Sequence, residues 1–346
     1  MSILFTVIIP THDHQDTLHY SIKSVLEQSF QDFEIVVIGD GAPDRTEEIV
    51  KEYCNKDARV KYFHHVKGKG HGETYKNEAI VNSAGKYIAY LGDDDMWLEN
   101  HLETLIPYLS RFDFVHTRHT SINTNGDISF LESNLEDVAI RNKMIQKQWN
   151  FFGPTCVSHT RAAYLKLPFG WRPKPEGMWS DLYMWRQWFS QQDLSFYTIP
   201  ANTTLHFPST LRPNVSLSSR IEELETFDKR RHLPHFGDEL NKLKQSEDLV
   251  RFSESLGIKE KIADLHIKID TLNTIIVGQG LKTNKLQQEN KHKNKSIIYY
   301  NTQLIEQRNE VSRLSNEIND LKSAMSTRIG FALTYPLRKI YELISK

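Results

Sequence analysis

The chain has 346 residues, 39% hydrophobic and 25% charged, enough for one large α/β domain with an extension. Its net charge is −1 and neither half is strongly basic, which argues against a nucleic-acid partner. Cys54 and Cys156 are the only cysteines; they make no metal motif and suit a reduced compartment.

"LFTVIIP" is a short run rich in β-branched residues, closed by Pro10, and reads as a strand. "ILFTVIIP" is too short for a signal h-region and no basic residue precedes it. "DTLHYSIKSVLEQ" places Leu18, Ile22, Val25 and Leu26 on one helical face, with Asp16 at the N-cap position. "FEIVVIGDG" predicts a second strand ending in a turn. "DRTEEIVKEYC" then reads as helix, "RVKYFHH" as strand, "GETYKNEAIVNSA" as helix and "KYIAYLG" as a fourth strand. This alternation predicts a mostly parallel sheet with helices on both faces. Ligands then bind beyond the carboxyl ends of the strands, where "PTHD", "GDGAPD" and the acidic triplet Asp93, Asp94, Asp95 fall.

Three adjacent carboxylates repel one another. Along an extended segment Asp93 and Asp95 would share one face, with Asp94 turned away. Two such carboxylates suit a hard divalent cation such as Mg²⁺ or Mn²⁺, with positions left for phosphate oxygens. The plainer alternative is that Asp95 caps the helix "MWLENHLETL" and the others are solvated. At the end of the second strand an Asp such as Asp40, beside Gly41, suits a base imide or a ribose hydroxyl; an ordinary Asp-Gly turn is the alternative. "HVKGKGHGETYKN" sets Lys67, Lys69 and Lys76 among glycines at a helix start, a phosphate-friendly arrangement but not a Walker A loop.

"DFVHTRHTSINTNGDISFL" reads as strand, Asn-Gly turn and strand. Five of the six tryptophans then fall between Trp149 and Trp188. Trp179, Trp171 and Trp185 are candidates for stacking on the apolar face of a ligand, with core packing the alternative. Composition shifts near residue 240: only Pro336 among twelve prolines lies beyond it. Residues 241–346 carry 18 Lys+Arg against 12 Asp+Glu, a net of +6, which leaves −7 for the rest. A basic tail on an acidic body suggests an acidic partner for the tail. Ile258, Ile262, Leu265, Ile269, Leu272 and Ile276 form a heptad seam; "GQG" interrupts it, and Leu304, Val311, Leu314, Ile318, Leu321 and Met325 resume it. A coiled coil that self-associates and a helical hairpin packed on the body fit this pattern equally. "STRIGFALTYPLRKIYELISK" has the composition of an interfacial amphipathic helix, with a docked terminal helix as the alternative. No apolar run reaches the roughly 18–20 residues that span a bilayer. The expectation is a cytoplasmic protein, peripheral on the inner face of the plasma membrane if the tail meets anionic lipid.

Three stretches, "FTVIIPTHDHQDTLHYSIKSVLEQSFQDFEIVVIGDGAPDRTEEIV", "KNEAIVNSAGKYIAYLGDDDMW" and "MWSDLYMWRQW", resemble the inverting glycosyltransferases of family 2. The resemblance is strong over about residues 1–120, looser to about 210, and does not reach the tail. It implies the GT-A fold, a Rossmann-like, mostly parallel sheet sandwiched by helices. Residues 1–240 would be the catalytic domain, with 1–110 the nucleotide-sugar half and 111–240 the acceptor half. A helical coiled-coil extension (241–327) and a basic amphipathic helix (328–346) would follow. By resemblance Pro10, Thr11, Asp13, Asp40 and Gly41 lie at the nucleoside, and Lys76 stands where the family often has Arg. Asp93, Asp94 and Asp95 would bind metal and diphosphate-sugar, His206 in "TTLHFP" would join the metal, and Asp181 would be the base.

The chain departs from the family pattern at several positions. Gly39 replaces an Asp, Ala42 a Ser and Ser180 a frequent Glu; Gly92 replaces the first Asp before the metal helix, so Asp94 can take the role given to Asp95. The implied activity is Mn²⁺- or Mg²⁺-dependent transfer of a sugar from a nucleotide donor, UDP-sugar favoured. The acceptor would be a saccharide or lipid-linked chain in cell-surface polysaccharide assembly. A sugar-nucleotide pyrophosphorylase is the enzymatic rival, disfavoured because "PTHDHQD" lacks a Gly-rich, Arg-containing loop. A degenerate scaffold using the coiled coil is the non-enzymatic one.

Overall fold

The computed structural model describes residues 3–131, 133–289 and 294–332. It divides into two compact units, Met1–Lys244 and Gln245–Lys346. In the first unit, strands β1 (Phe5–Thr11), β2 (Phe33–Asp40), β3 (Val60–His65) and β4 (Tyr87–Tyr90) alternate with helices α1 (Leu18–Leu26), α2 (Asp44–Lys56) and α3 (Glu73–Asn82). Then come β5 (Met96–Trp97), α4 (His101–Leu109), β6 (Phe114–Thr117), β7 (His119–Ile122), β8 (Ile128–Leu131) and α5 (Val138–Gln146). β9 (Val157–Thr160), α6 (Arg161–Tyr164), α7 (Ser180–Phe189), β10 (Phe196–Ile199), β11 (Thr204–Leu205) and α8 (Leu217–Arg231) complete it.

The main sheet has seven strands in the order β10-β6-β9-β4-β1-β2-β3. β1 runs parallel to both β2 and β4, and only β9 is antiparallel to its neighbours. Strands rich in Val and Ile are suited to burial on both faces, and all eight residues of β2 are buried. Alternation divides them: Val36 and Ile38 join the core under α3, α5 and α7, while Ile35 and Val37 join the core under α1, α2 and α4. Each such side chain contributes about 1.5–3 kcal/mol of hydrophobic stabilisation. This is the α/β architecture, a mostly parallel sheet sandwiched by helices, expected from the sequence. The order reverses around β1, so Thr11, Asp40 and the turn after β4 share one carboxyl edge.

Two expected helix starts shift. α1 begins after Thr17, whose hydroxyl donates to the His14 carbonyl, so Asp16 is not the N-cap. α4 begins after Asn100, with the β5 strand between it and the triplet, so Asp95 does not cap a helix. β7 and β8 form the expected hairpin around Gly126 (φ 83°). β11 pairs with β5 and so brings His206 back to the triplet.

Helix α9 (Phe236–Glu289) continues without a break through Gly278 and Gly280, and α10 (Asn294–Ala332) follows. In the second unit the two seams bury against each other: Ile262 and Leu265 with Leu314 and Ile318, flanked by Ile258, Ile269, Leu272 and Leu321. Lys261 Nζ and Glu317 lie 3.1 Å apart beside this seam. This part of the heptad stripe is therefore buried between the two helices of the chain. The Met325 side chain, and Leu333 to Lys346 of the amphipathic stretch, lie outside the described residues. Among the described residues no helix is long and apolar enough to cross a membrane.

Candidate active site

After Tyr90 the backbone stops being extended. Leu91 N–H still donates to the Ile8 carbonyl, but Asp95 N–H turns back to the Gly92 carbonyl at 3.3 Å. The strict alternation that would pair Asp93 with Asp95 therefore fails. Asp93 and Asp94 face His14 instead, and Asp95 folds inward. His14 donates from Nδ1 to Asp93 Oδ1 at 2.9 Å and lies 4.0 Å from Asp94 Oδ2. The hydrogen bond to Asp93 lifts His14 to about 9, against burial and with help from the other nearby carboxylates.

Asp95 is buried and held on both oxygens. His206 Nδ1 reaches them at 2.9 and 3.0 Å, Phe207 N–H donates to Oδ1 at 2.9 Å, and the Thr155 hydroxyl donates to Oδ2. Burial works to raise this carboxyl, but the charge of His206 and these donors hold it below the usual carboxylate range. A Cβ at position 92 would sit 2.7 Å from Asp95 Oδ2, which gives Gly92 a local reason. A Cβ at position 39 would sit 2.5 Å from the Tyr62 hydroxyl, so Gly39 has a similar local reason.

At the end of β2, buried Asp40 accepts from Gly68 N–H at 2.7 Å and from Lys67 Nζ at 2.5 Å. Lys67 also donates to the Gly70 carbonyl at 2.8 Å, so one carboxylate ties down the Gly-rich loop. Gly41 allows this through φ 66°, because a Cβ there would meet the Lys67 backbone and Cβ. Pro10 is partly exposed, Asp13 exposed, and Thr11 buried at the end of β1. Among the described residues Thr11 Oγ1, a buried hydroxyl, has no hydrogen-bond partner. Such a group costs stability unless a ligand or water completes it.

α3 supplies Glu73 and Lys76. Glu73 accepts from His71 N–H at 2.7 Å and from the Ser180 hydroxyl, which ties α3 to the start of α7. Lys76 lies over the Trp171 ring at 4.1 Å. Burial lowers its ammonium to about 8, opposed by Glu73, Asp181 and Asp40. Lys76, His71, Lys174, Trp171, Trp179, Met178, Pro154, Ser180 and Asp181 line a pocket of about 390 Å³.

Asp181 sits in the first turn of α7. Its Oδ2 accepts from Asn150 Nδ2 at 2.8 Å and its Oδ1 from Leu182 N–H at 2.7 Å. Burial holds this carboxyl above the usual range, against Leu182 N–H, the Lys76 charge and Asn150. The aromatic expectations divide. Trp179 is 47% exposed at the pocket. Trp185 is wholly buried, so it cannot stack on an acceptor; it belongs to the core with Trp188. Trp171 is 2% exposed and its face is taken by Lys76, so it supports the pocket wall instead of stacking on a sugar.

Sequence reasoning missed His14, Asn150, Thr155, Glu73 and Arg220. The Arg220 guanidinium pairs with Asp94 Oδ2 across 126 positions. His14 adjoins Asp13 and carried a weak signal; the others carried none.

The donor set fits a hard divalent cation. Ligand atoms of His14, Asp93 and Asp94 lie within 4.8 Å of one another. Burial, with the charges of Asp95 and Asp93, lifts the Asp94 carboxyl to about 6, against His14 and Arg220.

Residues 6–169 match the family described as Glycosyl transferase family 2. An uncharacterized glycosyltransferase of Rickettsia bellii is 38% identical over 130 residues, which are 37% of this chain and 18% of that protein. The Escherichia coli protein named UDP-Glc:alpha-D-GlcNAc-diphosphoundecaprenol beta-1,3-glucosyltransferase WfgD is 27% identical over 194 residues, 56% of this chain and 72% of its own length. The S. aureus TarS structure with UDP-GlcNAc aligns over 59% of this chain and 58% of TarS at 17% identity, with a TM-score of 0.48.

Proposed function

With residues 6–169 a glycosyltransferase family 2 domain, we propose that this chain transfers a sugar from a nucleoside-diphosphate donor to an acceptor hydroxyl, with inversion. The observation that carries it is the pocket in which Asp181 faces the cations Lys76 and Lys174 beside the edge that holds Thr11, Asp40 and the acidic triplet. The E. coli relative's name specifies UDP-Glc and a diphosphoundecaprenol-linked acceptor. A UDP-sugar and a lipid-linked saccharide are accordingly the favoured substrates here, in cell-surface polysaccharide assembly at the inner face of the membrane.

The acceptor oxygen forms its bond to the anomeric carbon as the bond from that carbon to the diphosphate breaks, and a single displacement inverts the centre. Asp181 takes the acceptor proton, worth about 10²–10⁴-fold in rate. A raised carboxyl suits this task, since it is a stronger base than a solvated Asp. Asn150 and Leu182 N–H fix its orientation. Lys76 faces the diphosphate, and Thr11 Oγ1 gains its missing partner from the nucleoside. Trp179 offers its exposed face to an acceptor sugar. Asp93 and Asp94, with His14 and the neighbouring Asp95–His206 pair, would hold Mn²⁺ or Mg²⁺, which offsets the charge of the departing diphosphate.

Calorimetric titration with UDP tests this reading. Binding in Mn²⁺, its loss in EDTA, and a roughly tenfold weaker Kd for Lys76→Gln are expected, as for one lost charge-assisted hydrogen bond. No UDP binding in either Mn²⁺ or Mg²⁺ contradicts it.

A further inference from the structure

Arg220 belongs to the first turns of α8, beyond the family 2 match. Its guanidinium pairs with Asp94, and the two side chains are only 12% and 11% exposed. The helix that carries it is fixed elsewhere. Asp228 of α8 accepts from Lys23 of α1 at 2.6 Å, and Arg231 pairs with Glu27 and, at 2.7 Å, with Asp228. At the other end Arg212 Nη2 lies 2.6 Å from Glu223. The α8 backbone is thus pinned while the tip of one long side chain reaches the triplet.

The contact uses little of that tip. One Nη donates to one oxygen of Asp94; among the described residues no other hydrogen bond of this guanidinium is present. A guanidinium has five donors in a planar fork whose spacing fits a phosphate. Asp94 is also the carboxylate that Asp93, Asp95 and His14 crowd. A cation at the triplet would meet Arg220 on the same carboxylate.

We propose that Arg220 is a movable counter-charge: it neutralises Asp94 in the free protein, gives way to the divalent cation, and turns its fork onto the donor's diphosphate. The proposal rests on the function proposed above. It makes Arg220 oppose the bare cation and assist the nucleotide, two effects of opposite sign from one side chain.

Mn²⁺ alone, followed by the electron paramagnetic resonance of the free ion, and UDP at saturating Mn²⁺, followed by calorimetry, separate them. Arg220→Ala should bind Mn²⁺ about fivefold more tightly, the size of a modest ion pair removed. It should bind UDP about tenfold or more weakly, as for a lost charge-assisted contact to phosphate. Arg220→Lys keeps the charge but not the fork, so Mn²⁺ affinity should stay near wild type while UDP still weakens. Circular dichroism melts establish that both variants fold. Unchanged affinities, or Mn²⁺ and UDP weakened together, overturn the proposal. Failure of the parent reading shows separately, as wild-type protein that binds neither probe.

Discussion

Asp181→Asn separates the base from the helix-start residue. The neighbouring amide is locked: Asn150 Oδ1 accepts from Phe151 N–H at 2.9 Å, and its Nδ2 donates to the Phe152 carbonyl at 2.7 Å. It therefore presents only a donor to position 181. An asparagine there can keep the bond from Leu182 N–H or the bond from Asn150, not both in their present geometry, at a cost of about 0.5–1.5 kcal/mol. A second effect opposes it. The folded-state pKa of Asp181 is raised, so the ionised carboxyl destabilises the fold increasingly as pH rises above its unfolded value, and the amide removes that penalty. The net shift at neutral pH should stay within about 1 kcal/mol, or roughly 2–4 °C in Tm for a unit of this size. Transfer, by contrast, should fall by two or more orders of magnitude. The wild-type rate should drop on the acid side through a pKa above the usual Asp value, because protonation disables the base. The variant should lack that limb. Stopped measurement of nucleoside diphosphate release across pH, beside thermal melts, reads all three. Near wild-type transfer by a folded Asp181→Asn refutes the assignment and moves the search to acids such as Glu176.

Asp95→Ala should do more than weaken donor binding. It leaves His206 Nδ1, Phe207 N–H and the Thr155 hydroxyl without their acceptor, a loss of about 3 kcal/mol or more, visible as a lowered Tm. An unchanged Tm would show that Asp95 is not the structural centre of the triplet. Leu265→Ala should cost the hairpin about 2–5 kcal/mol. All six tryptophans lie before residue 245, so far-ultraviolet dichroism should lose helix early while tryptophan fluorescence holds; a single common transition would argue against this.

The strands of the sheet were legible because "FEIVVIGDG" and "KYIAYLG" are apolar runs long enough only for strands, bounded by turn residues. The seam of α9 is legible from its heptad spacing, though its partner is not: a heptad stripe states what it buries, not against what. The triplet is legible but its geometry is not, since alternation holds only in extended backbone and the chain turns at Gly92. The spacing of Met184, Trp185 and Trp188 after Asp181 marks the buried face of α7, which composition alone did not distinguish from a stacking surface. Arg220 and Asn150 reach their carboxylates across 126 and 31 positions, and no local pattern announces such contacts.

The central claim is best tested by incubating the full chain with a panel of nucleotide sugars and Mn²⁺ or Mg²⁺, following the anomeric protons by NMR with and without EDTA. The account predicts that one donor, a UDP-sugar in the first instance, releases nucleoside diphosphate only with metal, and that a saccharide or lipid-linked acceptor gains the sugar with opposite anomeric configuration. Intact donors throughout the panel, or turnover that persists in EDTA, would contradict it.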